Sequence, residues 1–450
     1  MQTFDVVIIG TGSAGKQVAE TARAAGKSVA IIDKLPFGGT CSQRGCDPKK
    51  VLVGAAEIVA RSTDLKGKGI TEKAVIDWSD LMAFKKTFTD SIPDSTEKKF
   101  ADQGIAQFHG VASFTAKNQL KVGDETLEAT HFVIAAGAAP QPLNIPGEDK
   151  LIDSTGFLEL SQLPDEIVMI GGGYIAFEFA HIAARAGANV TIIHQGKRPL
   201  EQFDADLISL LTTATEDIGV RVLLDAKVTE IDGNGDQLTV RYEQDHQQLS
   251  VTTKLVVHAA GRVADVADIG LDKAGVEVSK KGVVVNEYLQ SVSNPAIYAC
   301  GDVSDKGKPL TPLASYEGGI VGSNILSEKS KKYTDNPVPS AVFTLPPLAA
   351  VGLTEEQATE QGLDVTVTYQ ETKDWYTSKR INEPVSAFKT LVDKKSGLIV
   401  GAHVLGAGSD ELINVFTLAM KYKISAKELA GTLMAYPTHA SNLSSMLPDE

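Results

Sequence analysis

The pattern that most narrows the choice of fold is an apolar run of strand length closed by a glycine turn and followed by an alanine-rich helix, because the chain carries it twice. In "FDVVIIGTGSAGKQVAETARAAGKSVAIID" the run turns on Gly10, Gly12 and Gly15, continues as a helix and returns to a second apolar run ending at Asp33. The same order recurs in "DEIVMIGGGYIAFEFAHIAARAGANVTIIH", with Gly171, Gly173 and Ala176 at the turn and His194 closing the second strand. Such a turn lets backbone approach a pyrophosphate at a helix N-terminus, and an acid about 20 residues on takes ribose hydroxyls. Two dinucleotide-binding βαβ units are predicted.

The second unit places His194 where an NAD-binding protein has its acid, and Lys197 and Arg198 follow. Loss of the carboxylate beside two cations suits a 2′-phosphate, so NADPH is favoured and NADH remains possible. Three shorter segments, "HFVIAAGAAPQPLNIPG", "LVVHAAGRVAD" and "AIYACGDV", also run from strand to glycine and would bring backbone close to a ligand or a sharp turn. They supply the candidate cofactor contacts Ala136, Gly137, Gly261, Arg262, Gly301 and Asp302.

A chain of 450 residues exceeds one hydrophobic core, so two to four domains are expected. Prolines 140, 142 and 146 mark one crossing between domains, and "YTDNPVPSAVF" marks another. From Ala341 onward, strand-like "DVTVTYQ" and "AFKTLVDKKSGLIVGAHVLG" alternate with helical "SDELINVFTLAMKY", which reads as a separate α+β domain. A formal charge of −14 argues against nucleic acid or an anionic membrane as partner. The start "MQTFD" lacks the basic region of a signal peptide, so a cytoplasmic protein is expected.

Cys41, Cys46 and Cys300 are too few for a secreted disulfide framework, and in a reducing compartment a close pair points to catalysis or metal binding. In "GGTCSQRGCDPKK" five steps of regular helix would advance about 7.5 Å, beyond the usual disulfide reach, so the pair needs a distorted turn that Gly45 permits. Asp47-Pro48 is a natural helix start. Both sulfurs would then sit near a helix N-terminus beside Lys49 and Lys50, where thiolates are stabilised. A zinc half-site lacks a second pair at matching spacing, and no metal site is expected. Cys300, at a strand end, reads as structural.

Together the two dinucleotide units, the C-x4-C pair inside "GGTC....GC.PKK", "YACGDV" and "FTLPPLAAVGLTEEQA" resemble the FAD-dependent pyridine nucleotide-disulfide oxidoreductases of the glutathione reductase and lipoamide dehydrogenase type. The resemblance covers essentially the whole chain. It implies an α/β fold with two Rossmann-like dinucleotide-binding domains, for FAD and NAD(P)H, and a C-terminal α+β dimerisation domain. The boundaries expected are 1–145 and 263–335 for the two parts of the FAD domain, 146–262 for the NAD(P)H domain and 336–450 for dimerisation. It implies a homodimeric flavoprotein that passes hydride from NADPH through FAD to a Cys41–Cys46 disulfide, then to a small disulfide substrate. By that likeness Cys46 faces the flavin and Cys41 attacks substrate. Lys49 lies by the flavin and pairs with Glu178, Tyr174 covers the nicotinamide pocket, Asp302 holds the ribityl chain and Thr311 lines the flavin edge. Ser13, Lys34, Gly39, Thr40 and Lys50 complete the candidate cofactor contacts.

The chain departs from the family near its end. Where disulfide reductases carry "HPT" and then a glutamate, it reads "YPTHASN": Tyr436 stands at the histidine position, and Ser441 or Asn442 at that of the glutamate. A histidine near pKa 6.5 suits thiol protonation at neutral pH better than a tyrosine near about 10. His439 is one candidate replacement. Another reading is a soft metal ion as acceptor, as in mercuric reductases, which need protonate no thiol. A third has Tyr436 packing an interface while quinones, dyes or oxygen take the electrons. A fourth is a redox sensor acting through a protein partner. Glu20 and Thr21 stand where glutathione reductases present two arginines, which disfavours glutathione, whereas Arg44 between the cysteines suits an acidic substrate.

Overall fold

A run of β-branched residues with no polar alternation is stable as a strand only when both faces are covered, and Val6 to Ile9 meet that condition. In this computed structural model, which describes residues 1–235 and 237–448, the strand Gln2–Ile9 lies inside a seven-stranded sheet. It pairs in parallel with Val29–Asp33 on one side and Glu125–Ile134 on the other. Ala106–His109 extends one edge, Ile297–Ala299 pairs in parallel with Glu125–Ile134, and antiparallel Ala112–Ala116 and Gln119–Val122 complete the sheet.

The helix Ser13–Ala24 covers this sheet with Ala14, Val18, Ala19 and Ala22, all buried. Its small side chains admit a second helix, Thr311–Leu326, at backbone distance. A Cβ on Gly318 would lie 2.6 Å from Ala14 O, and one on Gly322 would lie 2.8 Å from Thr21 Cγ2. These elements belong to one unit, Met1–Lys49, Phe84–Gln141 and Gly261–Asp335.

The second unit comprises Lys50–Ala83, Pro142–Ala260 and Asn336–Glu450. Its parallel sheet runs Arg221–Leu223, Asn189–Ile193, Glu166–Ile170, Leu255–His258, and the helix Tyr174–Arg185 follows the glycine turn. Trp78, Phe157, Phe177 and Phe179 share a core with Leu52, Val53 and Ala56 of the helix Cys46–Asp64. A five-stranded antiparallel sheet, ordered Ser340–Val342, Leu348–Gly352, Ile399–Leu405, Ala387–Asp393, Val365–Glu371, carries the helix Ser409–Lys421. Val351, Phe388, Ile413 and Phe416 fill the space between that sheet and helix. The fold is therefore mixed α/β, with the βαβ units and the α+β tail that the sequence announces. Among the described residues no helix is long and apolar enough to cross a membrane.

Candidate redox site and nucleotide cradles

Gly38 and Gly39, with φ of +128° and +80°, lead into a short helix, Gly39–Arg44. Gly45 then interrupts it, and a new helix begins at Cys46, one residue ahead of the Asp47-Pro48 start. A Cβ on Gly45 would sit 3.0 Å from Thr40 O and 3.3 Å from Cys41 Cα, so any larger residue there crowds the fold-back. This is the distorted turn that the spacing requires. It brings Cys41 and Cys46 into hydrogen-bond contact, with no disulfide between them. Cys41 Sγ also lies 3.9 Å from Asp47 Oδ1, and Cys46 Sγ lies 3.6 Å from Thr311 Oγ1.

The two sulfurs differ chemically. The hydrogen bond from Cys41 brings the Cys46 thiol down to about 6 against the opposing effect of burial, with Thr311 and Lys49 helping. Cys41, as the donor of that bond and partly buried, is pushed up. The reduced pair thus holds one proton, on Cys41, and one negative charge, on Cys46, at a helix N-terminus that favours it. Cys300 is buried at the end of the strand Ile297–Ala299, and its surroundings push its thiol up, which leaves it unreactive.

Around this pair the first unit forms a backbone-lined cradle. Gly10 has φ +110°, and a Cβ there would overlap Ala135 O; one on Gly15 would overlap Gly10 O, and one on Gly39 would overlap Gly12 Cα. Gly12 caps the helix that starts at Ser13, and nothing approaches its added Cβ closer than 3.9 Å. Asp33 closes the βαβ unit as expected, but its carboxylate also holds the turn, accepting from Thr11 N at 2.9 Å and Thr11 Oγ1 at 2.6 Å. Lys34 pairs with Asp265 at 2.9 Å. Gly137, at φ +74°, follows Ala136 with open space around it. The Arg262 guanidinium donates to Ala138 O, and a Cβ on Gly261 would stand 3.4 Å from Gln141 Oε1. Gly301 precedes Asp302, whose carboxyl burial pushes up while Arg262 draws it down. Thr40 lies one residue ahead of Cys41 in the short helix, and Thr311 opens the helix Thr311–Leu326. A helix start that no side chain caps, uncrowded Gly12 and Gly137, and a polar far end fit a flavin dinucleotide.

The second unit repeats the device. Gly171 has φ +120°, Gly173 caps the helix that Tyr174 begins, and a Cβ on Gly173 would meet nothing within 4 Å. His194 does more than replace an acid: its ring lies on the turn, so that a Cβ on Gly172 would approach it to 2.5 Å. His194 Nε2 bonds Arg198 O at 3.2 Å. Arg198 is itself engaged, donating from Nη1 to Glu356 Oε1 at 2.9 Å and from Nη2 to Glu356 Oε2 at 3.1 Å, whereas Lys197 is exposed.

Lys49 is buried in the first unit, with its N–H on Gly45 O at 3.1 Å. Glu178 is buried in the second, accepting from Phe343 N at 2.8 Å. Lys50 lies in the second unit, 3.4 Å from Asp410 and over the Phe343 ring. Tyr436 is 82% exposed. Burial holds His439 below the ordinary imidazole range, and Arg380 and Arg61 add to the effect. Asn442 donates to Thr377 Oγ1 at 2.9 Å, which gives it a structural anchor at the family's glutamate position.

Four residues that matter here have only faint sequence signals. Thr11 is hidden inside the glycine motif. Gln43, between the cysteines, is buried and donates to Phe37 O at 2.8 Å and Pro36 O at 3.1 Å, fixing the loop. Glu317 is buried and accepts from Gly301 N at 2.6 Å. A lone acid in the otherwise apolar "TPLASYEGGIVGSNIL" is the one clue to it. Glu356 carries no clue, because its partner lies 158 residues away.

Known proteins resemble the chain over nearly its whole length. Residues 4–318 match the family model described as pyridine nucleotide-disulphide oxidoreductase, and residues 338–447 match that family's dimerisation domain. A mercuric reductase from Bacillus cereus is 31% identical over 449 residues, covering 98% of this chain and 70% of that protein. A dihydrolipoyl dehydrogenase from Bacillus subtilis (strain 168) is 30% identical over 442 residues, covering 96% and 93%. Among solved structures, the Cu(II) complex of the HOCl-induced flavoprotein disulfide reductase RclA from Escherichia coli superposes with a TM-score of 0.88 at 30% identity over 99% of both chains. The chain therefore belongs to the pyridine nucleotide-disulphide oxidoreductase family, as an FAD-dependent, NAD(P)H-using flavoprotein with a dithiol centre and a dimerisation domain.

Proposed function

We propose that the chain is an NADPH-dependent cytoplasmic reductase of a small disulfide, working as a homodimer through Cys41 and Cys46. The observation that supports this most directly is the unequal sulfur pair, one thiol and one thiolate in contact. When bound, the flavin supplies a two-electron relay between nicotinamide and this pair. Cys41 passes its proton to Cys46 Sγ as its own sulfur attacks the substrate; the substrate S–S bond breaks and a first thiolate leaves. Cys46 returns that proton to the departing sulfur. As a thiolate again, Cys46 attacks the sulfur of Cys41, expels the second substrate thiolate and closes the protein disulfide. Two electrons move from the pair to the substrate. The single proton held by the pair covers the first thiol, and solvent supplies the second. No histidine is needed for the first step, which accommodates Tyr436.

A second reading, a reductase of soft metal ions, is favoured by Tyr436 standing at the histidine position, and by burial, which lowers the His439 pKa. A cation leaving a dithiolate needs no proton. Relatives named mercuric reductase and a relative solved as a Cu(II) complex point the same way. The test is NADPH consumption against small disulfides, Hg(II), Cu(II) and a quinone. Disulfide turnover reduced by about 100-fold or more in Cys41→Ser is the expected result. Turnover with metal ions alone would select the second reading, and turnover undiminished in Cys41→Ser would overturn the dithiol mechanism.

A further inference from the structure

We propose that Glu356 acts as an internal stand-in for the cofactor's 2′-phosphate, occupying the Arg198 fork and thereby setting the discrimination between NADPH and NADH. This rests on the reading of the second glycine turn as the nicotinamide-dinucleotide site. The strand Asn189–Ile193 ends at the C-terminal edge of a parallel sheet, where such sheets bind the adenosine ribose. The loop that follows is bound back onto the turn, with Leu200 N on Gly172 O at 2.8 Å and His194 against Gly172. Arg198 is the guanidinium of that loop. A guanidinium suits a phosphate because its planar donors match two oxygens at once, and a carboxylate matches the same fork.

Glu356 uses that match. It reaches Arg198 from the helix Glu355–Glu360, which is fixed by a capping box in which Thr354 Oγ1 accepts from Gln357 N and the Gln357 side chain accepts from Thr354 N. The carboxylate is thus presented by a rigid element. Neighbouring Glu355 is tied elsewhere, 2.8 Å from Lys389 Nζ, so the helix cannot simply swing aside. Yet the pair is partly solvated, with Glu356 60% and Arg198 30% exposed, and an exposed ion pair is weakly held. A phosphate dianion therefore displaces Glu356 at a modest cost, which lowers NADPH affinity without touching NADH. Lys197, exposed beside it, remains a cation for the phosphate whichever partner Arg198 has.

Half-cofactors separate this idea from the catalytic reading, because they need neither flavin chemistry nor a disulfide. Binding of 2′,5′-ADP and 5′-AMP to the intact protein is measured by calorimetry for wild type, Glu356→Gln, Glu355→Gln and Arg198→Gln. Glu356→Gln should tighten 2′,5′-ADP about three- to tenfold, with no change for 5′-AMP, the size expected when an exposed competitor is removed. Glu355→Gln should change neither. In an Arg198→Gln background the Glu356→Gln gain should vanish. An unchanged 2′,5′-ADP affinity in Glu356→Gln, or equal shifts for both ligands, overturns the proposal. A tightened 2′,5′-ADP in a protein that fails to reduce disulfides with NADPH would leave the proposal standing and sink the functional reading instead.

Discussion

At the scale of single residues, the decisive asymmetry is between two sulfurs five positions apart. Because Cys46 titrates at about 6, its thiolate is present above that pH and is lost as the pH falls through it. The rate of alkylation of the reduced protein by a neutral reagent should therefore rise through pH 6 and level off before pH 8. Cys41→Ala removes the donor that does most to stabilise the thiolate, so the inflection should move upward by roughly one unit or more while thiolate nucleophilicity remains. An unmoved inflection would show that the helix terminus and Lys49, rather than the partner sulfur, depress it. The cysteine spacing made the pair legible in the sequence. What the spacing could not carry was which sulfur holds the proton, since that follows from the direction of the hydrogen bond between them, nor that Thr311 reaches Cys46 from 265 residues away.

Secondary-structure elements carry the next set of consequences, and the helix Thr311–Leu326 shows them best. Its Glu317 is buried beneath the Gly301–Asp302 turn and is raised to about 7 by loss of solvent. A carboxyl whose folded pKa lies above its unfolded value binds more protons in the native state, so it lowers stability as the pH rises from about 4.5 to 7. Glu317→Gln retains an acceptor for the Gly301 N–H and should flatten that part of the stability profile, measured by urea unfolding across pH. Glu317→Leu removes the acceptor as well and should cost about 1–3 kcal/mol at pH 5, where the carboxyl is mostly neutral. A glutamine variant with an unchanged pH slope would place the proton elsewhere. The two βαβ units were readable throughout because their apolar runs and glycine turns are local patterns, whereas of this helix only Thr311 was singled out. Glu317 and Gln43 were not readable, because a buried polar residue declares itself only through the backbone it bonds, and that backbone comes from other parts of the chain.

For the molecule as a whole, charge is placed where elements distant in sequence must stay together. Lys389, on the strand Ala387–Asp393, is buried among Asp204 at 3.1 Å, Asp206 at 2.5 Å and Glu355 at 2.8 Å. Burial opposes its charge, but the three carboxylates outweigh that and raise its pKa. Lys389→Met leaves the buried Asp204 without this cation and should destabilise the second unit by about 3 kcal/mol, read from urea unfolding. A loss below about 1 kcal/mol would show that water re-enters freely. The segment matched to the dimerisation domain also leaves Leu433 98% and Tyr436 82% exposed, an arrangement expected of a surface that a second copy covers. Leu433→Asp should shift the protein toward monomer in light scattering, and an unshifted dimer would place the interface elsewhere. The contact between Gly39 and Gly12 reaches further, since no side chain separates the loop bearing the sulfurs from the turn that would cradle the nucleotide. The two segments are thus bound to a common inheritance: a side chain at Gly39 would strike the nucleotide turn, so a lineage that loses that glycine must refit both together.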